Sequence, residues 1–276
     1  MLRRWFIPLA TMTLVTGTLL AAGGASAASA SPAAHPAAAL AALPGYNPGG
    51  TMTGPAAAGR PAAAPGAAAQ TVQSTNWSGY AATGASGAFN SVSASWAQPA
   101  ATCPSPAAQF SSFWVGLDGF NSSSVEQTGT DSDCDGTTPT YYGWYELFPA
   151  APVIFPDPVA PGDQMSASVT FSGTQTFTLV LTDHTQGWTE TITRNVAGLA
   201  RSSAEVITEA PSSAAGVLPL ADFGTVDYAG AQANGTSLAS QNPTEIVMVD
   251  AAGNPQDSTS AISGDGAFSN TWISSS

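Results

Sequence analysis

Ten short segments in which polar and apolar residues alternate constrain the fold of this chain more than any other feature. They are rich in Val, Thr, Tyr, Phe and Trp, and Gly, Pro, Asn and Asp lie between them. No segment shows the 3.6-residue period of an amphipathic helix. The pattern predicts an all-β domain, either a two-sheet antiparallel sandwich or a barrel. The predicted strands are residues 91–97, 110–117, 141–148, 164–171, 176–182, 190–196, 204–208, 223–228, 245–249 and 268–273.

The N-terminus has the features of an export signal. Arg3 and Arg4 precede a long apolar run, which ends in a small-residue cleavage site, Ala-Ser-Ala, at residues 25–27. This order is typical of a secretory signal peptide over residues 1–27. We therefore expect a secreted, extracellular protein.

Residues 28–70 have a different composition from the rest of the chain. They contain 18 Ala, 7 Pro and 6 Gly in 43 positions, which is too uniform for a packed core. They are interpreted as a pro-segment or a linker, and composition leaves both readings open. Because His35 and Arg60 are their only basic side chains, we expect this segment to bind an acidic body weakly. The folded domain is predicted at residues 71–276.

The charge of the chain is strongly acidic and restricts its partners. It has 5 Lys+Arg, all of them Arg, against 18 Asp+Glu. From residue 71 onward 2 Arg face all 18 acids, a net −16. Such a body repels phosphate, so nucleic acid and membrane surfaces are not expected partners. Protonation of the carboxylates in acid would leave little charge to unfold the protein, which indicates a protein that works at low pH.

The two cysteines predict a disulfide rather than a metal site. Cys103 and Cys134 belong to an exported chain, where pairing is the default. His184 is the only histidine after residue 70, so we expect neither a metal nor another cofactor. The acidic run 131–136 matches only the first half of a calcium loop and is interpreted as a solvated acidic turn.

Bulky and acidic residues form five motifs in a Ser, Thr and Ala background. In chain order they are Phe113-Trp114-Val115-Gly116-Leu117-Asp118-Gly119, Val125-Glu126-Gln127-Thr128-Gly129, Tyr142-Gly143-Trp144-Tyr145-Glu146, Ala204-Glu205-Val206-Ile207 and Ala221-Asp222-Phe223-Gly224. With these motifs the chain resembles the glutamic peptidases, or eqolisins, from Asn76-Trp77-Ser78-Gly79 to about Val249. It departs from the family pattern at Glu126, Tyr142 and Val206.

This resemblance implies a fold and a pair of catalytic residues. The implied fold is a concanavalin A-like sandwich of two seven-stranded antiparallel sheets with a concave substrate cleft. The implied catalytic dyad is Gln127 and Glu205. Glu205 could remove a proton from water and return it to the leaving amine, while the amide of Gln127 stabilises the oxyanion without titrating. The predicted function is an acid endopeptidase that acts as a monomer on polypeptides.

Further residues are candidates for the substrate cleft. Aromatic and acidic side chains near the dyad are expected to line it or to support it, although an aromatic residue on a strand is more often part of the core. The candidates are Trp77, Trp114, Asp118, Trp144, Tyr145 and Glu146.

A second hypothesis is a carbohydrate-binding or glycan-cleaving jelly roll, which would have the same fold. A glycan hydrolase would need two cooperating carboxylates, for which Glu146 and Glu205 are the candidates. Gln127 in its Gln-Thr-Gly setting favours the peptidase, because glycan chemistry has no use for that amide.

Overall fold

The computed structural model describes residues 44–54 and 70–275, and it confirms the all-β sandwich. The signal peptide predicted at residues 1–27 lies outside these residues. The strands, numbered along the chain, are β1 Thr71–Ser74, β2 Trp77–Thr83, β3 Ser91–Ala97, β4 Ser112–Leu117, β5 Val125–Asp135, β6 Thr138–Phe148, β7 Val153–Pro158, β8 Gln164–Phe171, β9 Thr176–Asp183, β10 Trp188–Asn195, β11 Ser203–Glu209, β12 Ser212–Ser213, β13 Gly216–Val217, β14 Thr225–Ala233, β15 Thr236–Ser237, β16 Thr244–Met248, β17 Asp257–Thr259 and β18 Phe268–Trp272. A 3-10 helix covers Leu238–Gln241.

Most of these strands form two sheets. The first sheet has the order β1-β16-β2-β11-β4-β5-β6-β7, and the second has the order β10-β9-β8-β3-β14-β18-β17 with β15 paired to β14. Neighbouring strands are antiparallel except β1, which pairs in parallel with β16. Each sheet therefore has eight strands instead of the seven implied by the resemblance. β12 and β13 form a separate hairpin.

All ten predicted strands have a counterpart, with bounds that shift at one or both ends in most cases. β3 and β8 are predicted to the residue, because each has one buried and one wetter face and so alternates cleanly. Strands β1, β2, β5 and β7 of the first sheet were not predicted. Every residue of β5 except Asp135 is buried, so its sequence shows no alternation between the two faces.

The first sheet buries both of its faces. Its inner face packs on the second sheet and contributes Phe113, Val115 and Val206 to the main core. Its outer face, which points away from the second sheet, carries a smaller apolar cluster that includes Trp114 and Trp144. Burial of both faces places polar groups of β4, β5, β6 and β11 in a dry environment, where each needs a partner or must stay neutral.

The disulfide predicted from the sequence joins Cys103 to Cys134. It ties the loop before β4 to the end of β5. Within residues 44–54 and 70–275 there is no helix long and apolar enough to cross a membrane.

Candidate active site

Four strands of the first sheet place three polar side chains in one row on its outer face. The register pairs Glu205 of β11 with Gly116 of β4, Gly116 with Gln127 of β5, and Gln127 with Glu146 of β6. Residues opposite one another on neighbouring strands share a face. A Cβ on Gly116 would lie 2.8 Å from the Trp114 ring and 3.3 Å from Cβ of Gln127. Glycine is therefore needed to let Trp114 lie flat beneath this row.

Gln127 is fully buried and is held by Glu146. Its Nε2 donates to Oε2 of Glu146 at 2.8 Å, and its Oε1 has no hydrogen-bond partner among the described residues. Burial, with a contribution from the charge of Asp131, raises the pKa of Glu146 to about 9. In acid Glu146 is therefore a neutral carboxyl, which is a weaker acceptor than an anion. The side-chain amide of Gln127 is therefore held in place by Glu146, but it can donate instead to an anionic oxygen, which is a stronger acceptor.

Glu209 ends β11 on the same face as Glu205, and three groups donate to its carboxyl. Nε1 of Trp114 donates to Oε2 at 3.0 Å, and Nδ2 of Asn76 donates to Oε1 at 3.0 Å. The third donor is the N–H of Gly50, 3.0 Å from Oε1. Burial raises the pKa of Glu209 well above its ordinary value, and these donors lower it only in part. The carboxyl is thus oriented by several bonds and neutral at low pH.

Glu205 has different surroundings, although it shares the row with Gln127. Burial raises the pKa of Glu205 well above its ordinary value, Ser203 lowers it in part, and the charges of Asp118 and Glu126 raise it further. Its neighbours are thus carboxyls, whereas indole and amide donors surround Glu209. Glu126 is itself buried, and burial raises its pKa to about 9.

Residues 44–54, which we call the covering segment, lie on the outer face and meet both Gln127 and Glu209. The segment is part of the Ala-rich stretch, yet Tyr46, Asn47 and Met52 are buried. A Cβ on Gly49 would lie 2.5 Å from Oε1 of Gln127, so only glycine fits there. The next residue, Gly50, is the one that donates to Glu209. Two consecutive residues of a peptide thus touch Gln127 and Glu209.

The expectation that 28–70 binds the acidic domain weakly stays a prediction, and the structure adds contacts of residues 44–54 that it did not include. That expectation rested on the shortage of cationic side chains. The structure shows neutral hydrogen bonds instead, which include the N–H of Asn47 donating to the carbonyl of Ser212 at 2.9 Å and the N–H of Met52 donating to the carbonyl of Gly119 at 3.2 Å. A segment held by hydrogen bonds needs no positive charge to stay on an acidic body.

Tyr46 enters a cluster of two carboxyls and a second tyrosine. Its hydroxyl donates to Oδ2 of Asp131 at 2.7 Å and lies 2.8 Å from the hydroxyl of Tyr142, which donates to Oδ2 of Asp133 at 2.7 Å. Burial raises the pKa of Asp131 to about 6 and that of Asp133 well above its ordinary value. These aspartates lie in β5 and are fully buried, so the interpretation of 131–136 as a solvated turn is wrong.

The other predicted cleft residues divide between the two faces. Trp77 packs edge-on against Trp114, with ring centroids 4.9 Å apart, and Trp144 donates through Nε1 to Oδ1 of Asp131 at 2.6 Å. These three indoles form the floor of the outer face. Asp118 accepts the N–H groups of residues 201 and 202 at 2.7 and 2.8 Å, so it fixes the loop before β11.

Tyr145 is the exception, because its position corrects the expectation that it lines the cleft. It follows Trp144 in β6 and so points to the inner face. There it stacks on Phe155, with ring centroids 5.7 Å apart, and accepts a hydrogen bond from Arg194 at 3.0 Å. Phe155 belongs to the sandwich core, and Arg194 lies on β10 of the second sheet.

Two polar residues of the site were not given a role from the sequence. Glu209 lies four residues after Glu205 on the same strand and face, so a period-two reading continued from Glu205 through Ile207 would have reached it. Asn76 opens the first motif of the family resemblance, but nothing in its neighbours shows that its amide turns to a glutamate 133 residues away.

Fold and site together define a β-sandwich protein with an amide and a carboxyl on a face that is covered by a peptide segment of the same chain. Residues 75–272 match the Peptidase A4 family, and the chain belongs to this family. Aspergillopepsin-2 of Aspergillus niger is 30% identical over 160 residues, which are 56% of each chain. The chain thus spans just over half the length of this curated relative.

Two solved structures of peptidases are similar in fold. Scytalido-glutamic peptidase, solved with a transition state analog inhibitor, has a TM-score of 0.62 and 25% identity over 72% of this chain and 98% of that chain. A member of the Eqolisin family, solved with the tripeptide Ala-Ile-His, has a TM-score of 0.56 and 26% identity over the same shares. The resemblance to glutamic peptidases is confirmed.

Proposed function

We propose that the protein is a secreted acid endopeptidase in which Gln127 and Glu209 form the catalytic dyad. Family membership supports peptide hydrolysis, and the export signal supports secretion. The observation that carries the choice of residues is the course of the covering segment, whose backbone meets Gln127 at Gly49 and Glu209 at Gly50. The proposed dyad therefore keeps Gln127 but has Glu209 in place of Glu205, the glutamate implied by the family resemblance.

The proposed chemistry needs one group that exchanges protons and one that does not. Glu209 as carboxylate removes a proton from the attacking water and, as carboxylic acid, protonates the leaving amine. The position of Gly50 fits the second step, because its N–H lies 3.0 Å from Oε1 of Glu209. Nε2 of Gln127 leaves the neutral Glu146 and donates to the oxyanion, which is a stronger acceptor.

Asn76 and Trp114 act as positioning residues in this proposal. Each donates to a different oxygen of Glu209, so together they fix the plane of the carboxyl. Glu205 is proposed to be a buried neutral carboxyl beside the dyad that does not exchange protons with substrate.

The glycan-cleaving alternative gains no support from the arrangement of its two carboxyls. Glu205 and Glu146 lie in the same row but three strands apart, which is about 14 Å between their backbones at the usual strand spacing. A glycosidase pair is about 5–9.5 Å apart, and Gln127 lies between the two.

Three glutamine or alanine substitutions test the dyad. With denatured casein at pH 4, we expect Glu209→Gln to lose about 10²–10⁴ of the rate and Gln127→Ala about 10²–10³, because one removes the proton exchange and the other the oxyanion donor. Glu205→Gln should retain activity within about tenfold. Glu190→Gln, on the second sheet, is the matched control.

The folded state of each variant is checked by near-ultraviolet circular dichroism. A folded Glu209→Gln variant with normal activity, together with an inactive Glu205→Gln variant, would return the assignment to Glu205. Hydrolysis of polysaccharides but not of casein would instead favour the glycan hypothesis.

A further inference from the structure

The covering segment is additional to the domain that defines the family. The family match begins at residue 75, whereas the segment is residues 44–54. The solved glutamic peptidase aligns over 98% of its own length but only 72% of this chain. A domain that is complete without the segment nevertheless gives it a buried site. This combination indicates a ligand on a binding face rather than a missing part of the core.

The backbone of the segment is bound at both ends as a peptide substrate would be. Asn47 and Ser212 exchange two main-chain hydrogen bonds of 2.9 and 3.0 Å, the pattern of an antiparallel strand pair. Further along, the N–H of Thr53 donates to Oδ1 of Asn76 at 2.8 Å. Main-chain bonds of this kind hold a peptide without regard to its sequence, and side-chain pockets then select among peptides.

One side chain of the segment fills a pocket of defined chemistry. We call this the tyrosine pocket, and its walls are Phe110, Asp131, Asp133 and Tyr142. The Tyr46 ring lies 5.6 Å from the Phe110 ring, centroid to centroid. Its hydroxyl lies within 2.7–3.3 Å of three oxygens at the far end.

The tyrosine pocket selects for a hydroxyl as well as for a ring. Phenylalanine would remove the Tyr46 hydroxyl and leave that of Tyr142 as the donor nearest to Oδ2 of both Asp131 and Asp133, and the loss of a hydrogen bond to a buried acidic group is costly. Alanine would lose the ring contact in addition. A buried acceptor that faces a bound hydroxyl is the arrangement by which sites reject analogues that lack the hydroxyl.

We propose that the outer face binds peptides through the tyrosine pocket, and that the covering segment occupies this site through Tyr46 as an internal ligand. The inference deepens the proposed function, because the pocket then selects peptide substrates with tyrosine three residues before the residue that meets Gln127. While the segment is bound, a substrate cannot reach the dyad. Displacing the segment must therefore precede catalysis.

Two glycines of the full chain provide matched variants. A Cβ on Gly49 would lie 2.5 Å from Oε1 of Gln127 and 2.6 Å from the Trp144 ring, whereas on Gly50 it would meet nothing closer than 3.5 Å. Gly49→Ala should therefore displace the segment and Gly50→Ala should leave it bound. The probe is a fluorescein-labelled synthetic peptide with the sequence of residues 44–54, and its binding is measured by fluorescence anisotropy.

We expect the probe to bind the Gly49→Ala chain and to bind neither wild type nor Gly50→Ala, in which the site is filled. A Tyr46→Phe version of the probe should bind at least about tenfold more weakly, the effect of losing a hydrogen bond to a charged or acidic group. A Tyr46→Ala version should not bind. Equal binding of the Tyr and Phe probes would refute the selectivity of the tyrosine pocket for a hydroxyl. Equal binding of the probe to wild type and to Gly49→Ala would refute the claim that the covering segment occupies the site.

Circular dichroism would show whether Gly49→Ala folds. If it does not fold, a second variant provides the test. Tyr46→Phe in the full chain keeps the ring but loses the hydroxyl, so this chain should bind more of the tyrosine probe than wild type does. No increase would contradict the proposal. Because anisotropy reports binding only, an absence of casein cleavage by every variant would refute the proposed function without affecting this result.

Discussion

The titration of Asp257 provides a quantitative test of how pH controls stability. This residue of β17 is 2% exposed and accepts a hydrogen bond from Oγ of Ser78 in the first sheet. Burial, opposed in part by Ser78, raises the pKa of Asp257 from 3.8 to about 7. It lies away from the dyad, so substitution there probes folding rather than chemistry.

The direction in which stability changes with pH follows from the raised pKa of Asp257. The native state of the protein holds a proton on Asp257 that the unfolded chain has already released above about pH 4. Its contribution is therefore complete below the unfolded-state pKa and is lost as pH rises through about 7. A rise from 3.8 to about 7 corresponds to ~4 kcal/mol of the free energy of unfolding. Glu126 and Glu146, whose pKa burial raises to about 9, act in the same direction.

Asp257→Asn removes this titration without changing the size of the side chain. Between pH 4 and pH 8 we expect wild type to lose ~4 kcal/mol more stability than the variant, from urea unfolding followed by tryptophan fluorescence. Asp227→Asn, an exposed change on β14, is the matched control and should follow wild type. If wild type and Asp257→Asn lose equal stability over this range, the assignment of the raised pKa is wrong.

Three further predictions concern packing, the disulfide and inhibitors. A Cβ on Gly129 would lie 2.2 Å from a backbone carbonyl of β4, so Gly129→Ala should destabilise the fold by about 1–3 kcal/mol in urea unfolding, whereas Gly264→Ala, in open space, should not. Replacing Cys103 and Cys134 by serine should lower stability by about 3–4 kcal/mol, since their bond closes a long loop; an unchanged urea midpoint would contradict this. Chelators and pepstatin should leave casein hydrolysis unchanged, because the proposed chemistry uses neither a metal nor an aspartate pair, and inhibition that added zinc reverses would refute it.

Alternation predicted β3 and β8 to the residue, where one face is wetter, but it missed β5, which is buried on both faces. β5 contains Gln127 yet shows no alternation, because Glu126 and Thr128 on its inner side are as buried as Gln127 on its outer side. Polar residues buried on both sides of a strand have the composition of a loop. Only the family resemblance marked Gln127 as important.

The covering segment shows a different limit of sequence analysis. Composition over residues 28–70 indicated a pro-segment or a linker, but residues 44–54 contain no alanine and include Tyr46 and Met52. An average over the whole stretch conceals this break. No local pattern could predict the partner of Tyr46, because its hydroxyl meets Asp131, which is 85 residues away in sequence.

The covering segment and the pH both affect the protonation of Glu209, the proposed catalytic base. Burial is the largest cause of the raised pKa of Glu209, and the hydrogen bond from Gly50 of the segment lowers that pKa only in part. Removing the segment would admit water to the carboxyl, and hydration favours the charged form. The pKa of Glu209 should then fall, so that a larger fraction is the carboxylate that can act as base. Under the proposed function, the segment would therefore block catalysis both by occupying the face and by keeping Glu209 protonated, and its release would remove both obstacles together.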